Sequence, residues 1–148
     1  MKQMIDKTRG WMEGLAFCLL VCILAACGDD VYYTVEEENT DERLCGRTWV
    51  ETVTVDDGSA YVSAEHQLVF SLEGQSRETW VWRKAGGGED TSASTFTWRW
   101  MDESREGIVL DFGAGELKYF ENVWVRDHYL SGKLDGEVVM MKDGSYRY

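Results

Sequence analysis

Five large aromatic residues fall on two short stretches of the chain that alternate in polarity. Trp80 and Trp82 lie in R-E-T-W-V-W-R, whereas Phe96, Trp98 and Trp100 lie in T-F-T-W-R-W-M. Because successive side chains of a strand point to opposite faces, the rings of each stretch share one face. Rings in such an arrangement can line a cup for a small apolar or ring-bearing ligand. They can also fill the core of a small barrel, or stack on a sugar or a partner protein from outside.

Residue types that carry catalysis or hold metals are few. His66 and His128 are the only histidines, and neither belongs to a metal-binding spacing such as H-x-x-x-H or C-x-x-C. The chain has no G-x-S-x-G nucleophile motif, and its carboxylates are too numerous for any pair to indicate a glycosidase-like site. The sequence therefore predicts no catalytic residue, no metal site and no cofactor, and favours a binding protein over an enzyme.

The acidic charge of the chain argues against nucleic acid as a partner. It has 15 basic and 27 acidic residues in 148, a formal net charge of -12. Such a chain repels the phosphate backbone, which predicts that nucleic acid is not a partner. Hydrophobic residues make up 44%, enough for a packed core, while 15 glycines and no proline favour many strands joined by glycine turns.

An uncharged apolar run, residues 15–26, precedes the third of the four cysteines. At about 1.5 Å per residue it spans roughly 18 Å of helix, which suits a signal peptide better than a ~30 Å membrane crossing. Its end, L-A-A-C at positions 24–27, resembles the lipobox of bacterial lipoproteins. The resemblance implies that residues 1–26 are cleaved off and that Cys27 becomes triacylated, which anchors the protein to a membrane. An ordinary signal peptide cut after Ala26 and an uncleaved anchor are the alternatives.

An acidic segment follows the predicted lipidation site. Residues 28–42 hold seven acidic side chains and no basic one, so we expect residues 27–42 to be a flexible tether ahead of a domain over residues 43–148. Asp29 and Asp30 resemble the export signal of surface-displayed lipoproteins of some Gram-negative anaerobes. The resemblance implies an outer-membrane protein at the cell surface, with the periplasmic face as the alternative. The acids can equally serve only to solvate the tether. Cys45 has no intramolecular partner in the mature chain and is predicted to be a buried thiol.

Glycine turns divide the remaining chain into short alternating segments. This pattern predicts an antiparallel meander of about eight strands with almost no helix, because no segment sustains a 3.6-residue period. A sheet with one apolar face must close on itself, so the predicted fold is an all-β, up-and-down barrel. The Gly-rich segment 84–94 is predicted to be a long hairpin loop. The predicted strands are 47–55, 66–73, 77–83, 95–101, 107–112, 116–126 with a bulge near Glu121, 129–134, 137–142 and a partial strand at 145–148.

The first predicted strand opens with L-C-G-R-T-W at positions 44–49. It resembles the start of lipocalin-like domains, whose motif is G-x-W and whose tryptophan plugs the closed end of the barrel. Together with the lipobox and the acidic tether, the chain is similar to lipocalin-like lipoproteins of Gram-negative anaerobes. The resemblance implies that Trp49 is the plug and that a late arginine, Arg126 or Arg147, packs on it.

Three classes of function follow from these observations. A membrane-anchored lipocalin-like module would bind a small apolar or ring-bearing ligand against Trp80, Trp82, Phe96, Trp98 and Trp100, in an open lumen. An envelope interaction protein, such as an accessory subunit or an inhibitor, would have a packed barrel and an exposed apolar patch. A weak enzyme would bring polar groups together in a cleft.

Overall fold

The computed structural model describes residues 37–147, which form an eight-stranded antiparallel barrel. Each strand pairs with the next along the chain, and β1 closes the barrel by pairing with β8. The predicted all-β, up-and-down barrel is confirmed. The elements are the helix α1 (Asp41–Leu44) and the strands β1 (Thr48–Thr54), β2 (Tyr61–Val69), β3 (Ser76–Lys84), β4 (Glu89–Trp100), β5 (Gly107–Gly113), β6 (Glu116–Val125), β7 (Tyr129–Leu134) and β8 (Glu137–Asp143).

Three boundaries differ from the prediction. β4 begins at Glu89, so the loop after β3 has only four residues, because Gly87 and Gly88 adopt positive φ and turn the chain at once. The second strand spans Tyr61–Val69 and not 66–73, since the chain leaves the barrel after Phe70 through a turn at Gly74. Residues 145–147 are not a strand, and residue 148 lies outside the described part. The irregularity predicted in β6 is confirmed, because its register with β7 shifts between Glu121 and Trp124.

The strand register fixes which side chains face the barrel interior. We call the end with turns 55–60, 85–88, 114–115 and 135–136 the open end, and the opposite end, where α1 lies, the closed end. Moving from the open end inward, the lateral rows of β1 to β4 are Val53–Ala64–Trp82–Asp90, Glu51–His66–Trp80–Ser92 and Trp49–Leu68–Glu78–Ser94.

The closed end of the barrel is densely packed, and the hydrophobic core extends from it along β7 and β8 as far as Leu134 and Val139, beside the turn at 135–136. Trp49 is fully buried, and its indole N–H donates to the carbonyl oxygen of Leu44 in α1 at 2.9 Å. A fully hydrogen-bonded tryptophan can fill the narrow end of a barrel without leaving a polar atom unpaired. The cluster comprises Leu44, Cys45, Trp49, Leu68, Phe70, Phe96, Ile108, Leu110, Phe120, Val123, Val125, Leu130, Leu134, Val139 and Met141.

The chain enters the barrel at the closed end. Thr40 caps α1 by accepting from the Arg43 N–H, and the buried Asn39 amide donates to the carbonyl oxygen of Val123 and accepts from the Val125 N–H. Glu37, Asn39 and Asp41 of the predicted tether therefore contact the barrel directly. The predicted signal peptide and Cys27 lie outside the described residues. Within residues 37–147, no helix is long and apolar enough to cross a membrane.

Candidate binding site at the open end of the barrel

The register separates the five aromatic residues into two groups. Trp80 lies opposite Ser92 and Trp82 opposite Asp90, whereas Phe96 lies opposite Ser76 at the start of β3. Four residues of strand, about 13 Å, separate Ser92 from Phe96. The two sets of rings therefore do not face each other across the hairpin, although their strands are neighbours as predicted.

Phe96, Trp98 and Trp100 pack at the closed end. Phe96 is buried against Phe70, with ring centroids 5.6 Å apart. The indole N–H of Trp98 donates to the Ser71 carbonyl oxygen at 2.9 Å, and that of Trp100 donates to the Asp41 carboxylate at 2.6 Å. Both indoles also border a cleft of about 300 Å³ beside the β2–β3 loop. Their inner faces pack on the hydrophobic cluster, so these three rings contribute to the core.

Trp80 and Trp82 lie on the inner face at the open end and are only partly buried. The ring of Trp80 stacks on His66 at 4.0 Å with an interplanar angle of 6°, and Trp82 stacks beside Trp80 at 5.9 Å and 14°. Tyr61 extends the series, with its ring 6.4 Å from that of Trp82. Inward rings that keep some solvent contact show that water enters this half of the barrel.

The barrel wall is interrupted beside these rings. β4 pairs with β3 from Glu89 onward, but its pairing with β5 begins only at Thr97. The inward residues Ser92 and Ser94 are small and exposed, which leaves open space next to Trp80. We call this space the cup. The register places Glu51, Trp80, Trp82, Ser92 and Ser94 on its inner face, Tyr61 contacts Trp82, and Lys118 lies over the Phe112 ring.

A buried polar group forms the floor of the cup. Glu78 is 5% exposed; one carboxylate oxygen lies 2.9 Å from His66 Nε2 and the other accepts from Lys118 Nζ at 2.9 Å. Burial on its own would raise the pKa of Glu78, but the hydrogen bonds from His66 and Lys118 outweigh it and lower that pKa. The Lys118 ammonium also lies 4.5 Å from the centre of the Phe112 ring. Glu78 therefore stays ionised and fully paired.

A second polar group lies at the rim. Asp90 accepts from the Tyr61 hydroxyl at 2.5 Å and from Lys84 Nζ at 2.8 Å. Both hydrogen bonds lower the pKa of Asp90, and the one from Lys84 has the larger effect. Tyr61 is thereby held beside Trp82, which fixes the aromatic wall at the entrance.

The remaining predicted residues lie away from the cup. Arg47 is the cation over Trp49, with its guanidinium 5.3 Å from the ring centre, whereas Arg126 lies over Trp124. Cys45 is buried, and this burial, with the nearby Asp41 and Glu42 charges, raises its pKa to about 11. Its thiol is therefore protonated at neutral pH and a poor nucleophile.

Sequence reasoning did not find the polar floor. His66 alternates with Leu68 and Phe70 on one face of β2, which is a readable signal of an inward histidine. Glu78 and Lys118 carry no local signal, since they are forty residues apart and meet only because the barrel closes.

The comparisons with known proteins name no relative: no family model, curated protein or solved structure matches the chain. Among residues 37–147, no three His, Cys, Asp or Glu side chains are arranged to hold a metal ion. The geometry of the cup is therefore the basis for a functional proposal.

Proposed function

We propose that the protein is a lipoprotein of the outer membrane whose barrel binds a small ring-bearing ligand in the cup. The observation that carries this proposal is the partial exposure of Trp80 and Trp82 on the inner face of a barrel whose wall is open beside them. The ring of a ligand can cover the apolar surface of Trp80 and Trp82 that is exposed to water in the free protein.

Burial of that surface supplies the driving force. Covering apolar area contributes about 25 cal/mol per Å², and an aromatic pair adds about 0.5–1.5 kcal/mol beyond its area. Ser92 and Ser94 leave room for the ligand on the β4 side, while Phe112 on β5 packs on Phe96, with ring centroids 5.2 Å apart, and belongs to the edge of the core. The floor and the rim supply fixed polar groups, which is the usual combination in small-molecule sites.

The proposed location rests on the sequence of the first 36 residues. The L-A-A-C run at positions 24–27 supports lipidation of Cys27, and Asp29 and Asp30 support export to the cell surface. The entry of the chain at the closed end leaves the cup at the opposite end of the domain from Glu37. We assign binding and not catalysis to the cup, because its floor groups are already saturated by one another.

A fluorescence titration tests the ligand site. N-phenyl-1-naphthylamine, a neutral ring-bearing probe, is added to the chain from residue 27 onward with Cys27→Ser, which keeps every strand. We expect saturable enhancement of probe emission, and Trp82→Leu should weaken the affinity about tenfold, or about 1.4 kcal/mol. The matched control, Trp124→Leu, removes an outer-face tryptophan. An equal effect of both substitutions, or no saturable binding, would overturn the proposal.

A specific observation favours interaction with another protein as the second candidate. Trp124, Met140 and Val138 lie on the outer face of β6–β8 and are 58%, 61% and 76% exposed. Exposed apolar residues on adjacent strands are a usual feature of protein contact surfaces. A photo-crosslinker at position 140 in intact cells should then give one discrete adduct, and a crosslinker at Thr52 should give none.

A further inference from the structure

One carboxylate of the cup has no ion-pair partner among the described residues. Lys118 is paired with Glu78 on the floor, and Lys84 is paired with Asp90 at the rim. Glu51 is the remaining carboxylate, and no basic side chain among the described residues forms an ion pair with it. Its Oε1 accepts from the Met140 backbone N–H at 3.1 Å, across the gap where β1 and β8 diverge. Glu51 is therefore the carboxylate of the cup that is held by a backbone N–H and not by a cation.

The position of Glu51 relates it to the aromatic wall. Glu51, His66 and Trp80 occupy one lateral row on β1, β2 and β3. Neighbouring strands lie about 4.8 Å apart, so the backbones of Glu51 and Trp80 are roughly 10 Å apart with His66 between them. A ring placed on the tryptophans can direct a short side group toward Glu51.

The charged side chains of the turns around the entrance are all acidic. The four open-end turns, 55–60, 85–88, 114–115 and 135–136, carry Asp56, Asp57 and Asp135 and no basic side chain. A recess ringed by one sign of charge raises the local concentration of ligands of the opposite sign. Aromatic faces themselves also attract cations.

From these three observations we infer that the ligand of the cup is an organic cation: an aromatic ring that carries an ammonium group two or three bonds away. The ring packs on Trp80 and Trp82, and the ammonium pairs with the free oxygen of Glu51. This inference rests on the proposed function and adds to it the charge of the ligand.

Three matched probes separate the two proposals. Tryptamine, tryptophol and indole-3-propionate share one indole ring and are cationic, neutral and anionic at pH 7. Isothermal titration of the same Cys27→Ser chain should give tryptamine an affinity at least tenfold above tryptophol, with indole-3-propionate weakest. The advantage of tryptamine should shrink as salt is added.

Glu51→Gln tests the assigned residue. The amide oxygen can still accept from the Met140 N–H, so the fold should be kept, and an unchanged urea midpoint checks this. We expect the variant to bind tryptamine and tryptophol equally, whereas Glu121→Gln, an outer-face control, should keep the tenfold difference. Equal binding of all three probes by the unmodified protein would overturn the inference and leave the cup in place. Failure of every probe, N-phenyl-1-naphthylamine included, would overturn both proposals.

Discussion

Substitution of Lys118 by methionine gives the sharpest test of the polar floor. Methionine keeps the unbranched side chain but removes the ammonium that Glu78 accepts from at 2.9 Å. Glu78 is almost completely buried, so the loss leaves a carboxylate with His66 as its remaining partner. We expect Lys118→Met to destabilise the folded barrel.

The size of the effect follows from burial. Removing one partner of a fully buried ion pair costs about 3–5 kcal/mol. The Lys118 side chain is 26% exposed, so water can reach the vacated position and replace part of the lost hydrogen bond. We therefore expect a decrease of about 2–3 kcal/mol in the free energy of unfolding, below the range for a fully buried pair.

Urea unfolding at pH 7, followed by tryptophan emission, measures this decrease if the m-value stays unchanged. Glu78→Gln in the Lys118→Met background removes the stranded charge, so the double variant should be more stable than the sum of the two single effects, by about 1–3 kcal/mol. Lys133→Met, on the outer face of β7, is the control and should change stability by less than about 0.5 kcal/mol. The account of the floor is wrong if Lys118→Met behaves like Lys133→Met, or if the two floor substitutions are additive.

Three further predictions concern the acid stability of the barrel, a glycine of β7 and the N-terminal lipid. The pKa of Glu78 is lowered by folding from its ordinary 4.5, so its carboxylate stabilises the barrel above that pH. This contribution should be lost as the pH falls from 4.5 through the lower pKa of the folded state, and an acid titration of Glu78→Gln should lack that part of the transition. Gly132→Ala would place a methyl group 2.7 Å from both the Glu121 carbonyl oxygen and the Phe120 ring, and should lower the unfolding free energy by about 1–3 kcal/mol in urea. Mass spectrometry of the membrane-extracted protein should show a triacylated N-terminus at Cys27; a soluble product with a free Cys27 thiol would contradict lipidation.

Local patterns were sufficient to predict the architecture of the domain. Polar and apolar residues alternate along parts of most strands, as in Phe96–Trp100 of β4, and glycine turns separate the strands, so periodicity and turn chemistry were enough to predict the barrel. The predicted bounds of β2 and β4 are wrong, because in each case one local pattern indicates a strand and another indicates a turn or loop. Leu72 continues the alternation of Leu68 and Phe70, but the turn at Gly74 takes it out of the sheet and leaves it exposed. The hydroxyl-rich start of β4 looks like a loop in sequence, and only its pairing with β3 makes it a strand.

The candidate site was harder to predict because it depends on register. The alternation of Trp80 and Trp82 shows that they share a face, but not whether they meet Trp98 and Trp100 across the hairpin. The loop after β3 has four residues and is shorter than predicted. The register of β4 with β3 therefore differs from the predicted one, and the two sets of rings are displaced from each other along the barrel. Contacts such as Lys118 with Glu78 depend on closure of the whole sheet, which no local pattern records.

We propose that a ring binds in the cup beside β3 and β4, while the hydrophobic core fills the closed end and reaches the open end along β7 and β8. The most direct test is an NMR titration of the six indole N–H signals of the chain from residue 27 onward, each assigned by substitution, with tryptamine as the ligand. We expect shifts at Trp80 and Trp82, and none at Trp49, Trp98, Trp100 or Trp124. Shifts confined to Trp98 and Trp100 would place binding at the closed-end cleft, and shifts at Trp124 would place it on the outer face; either result would contradict the account.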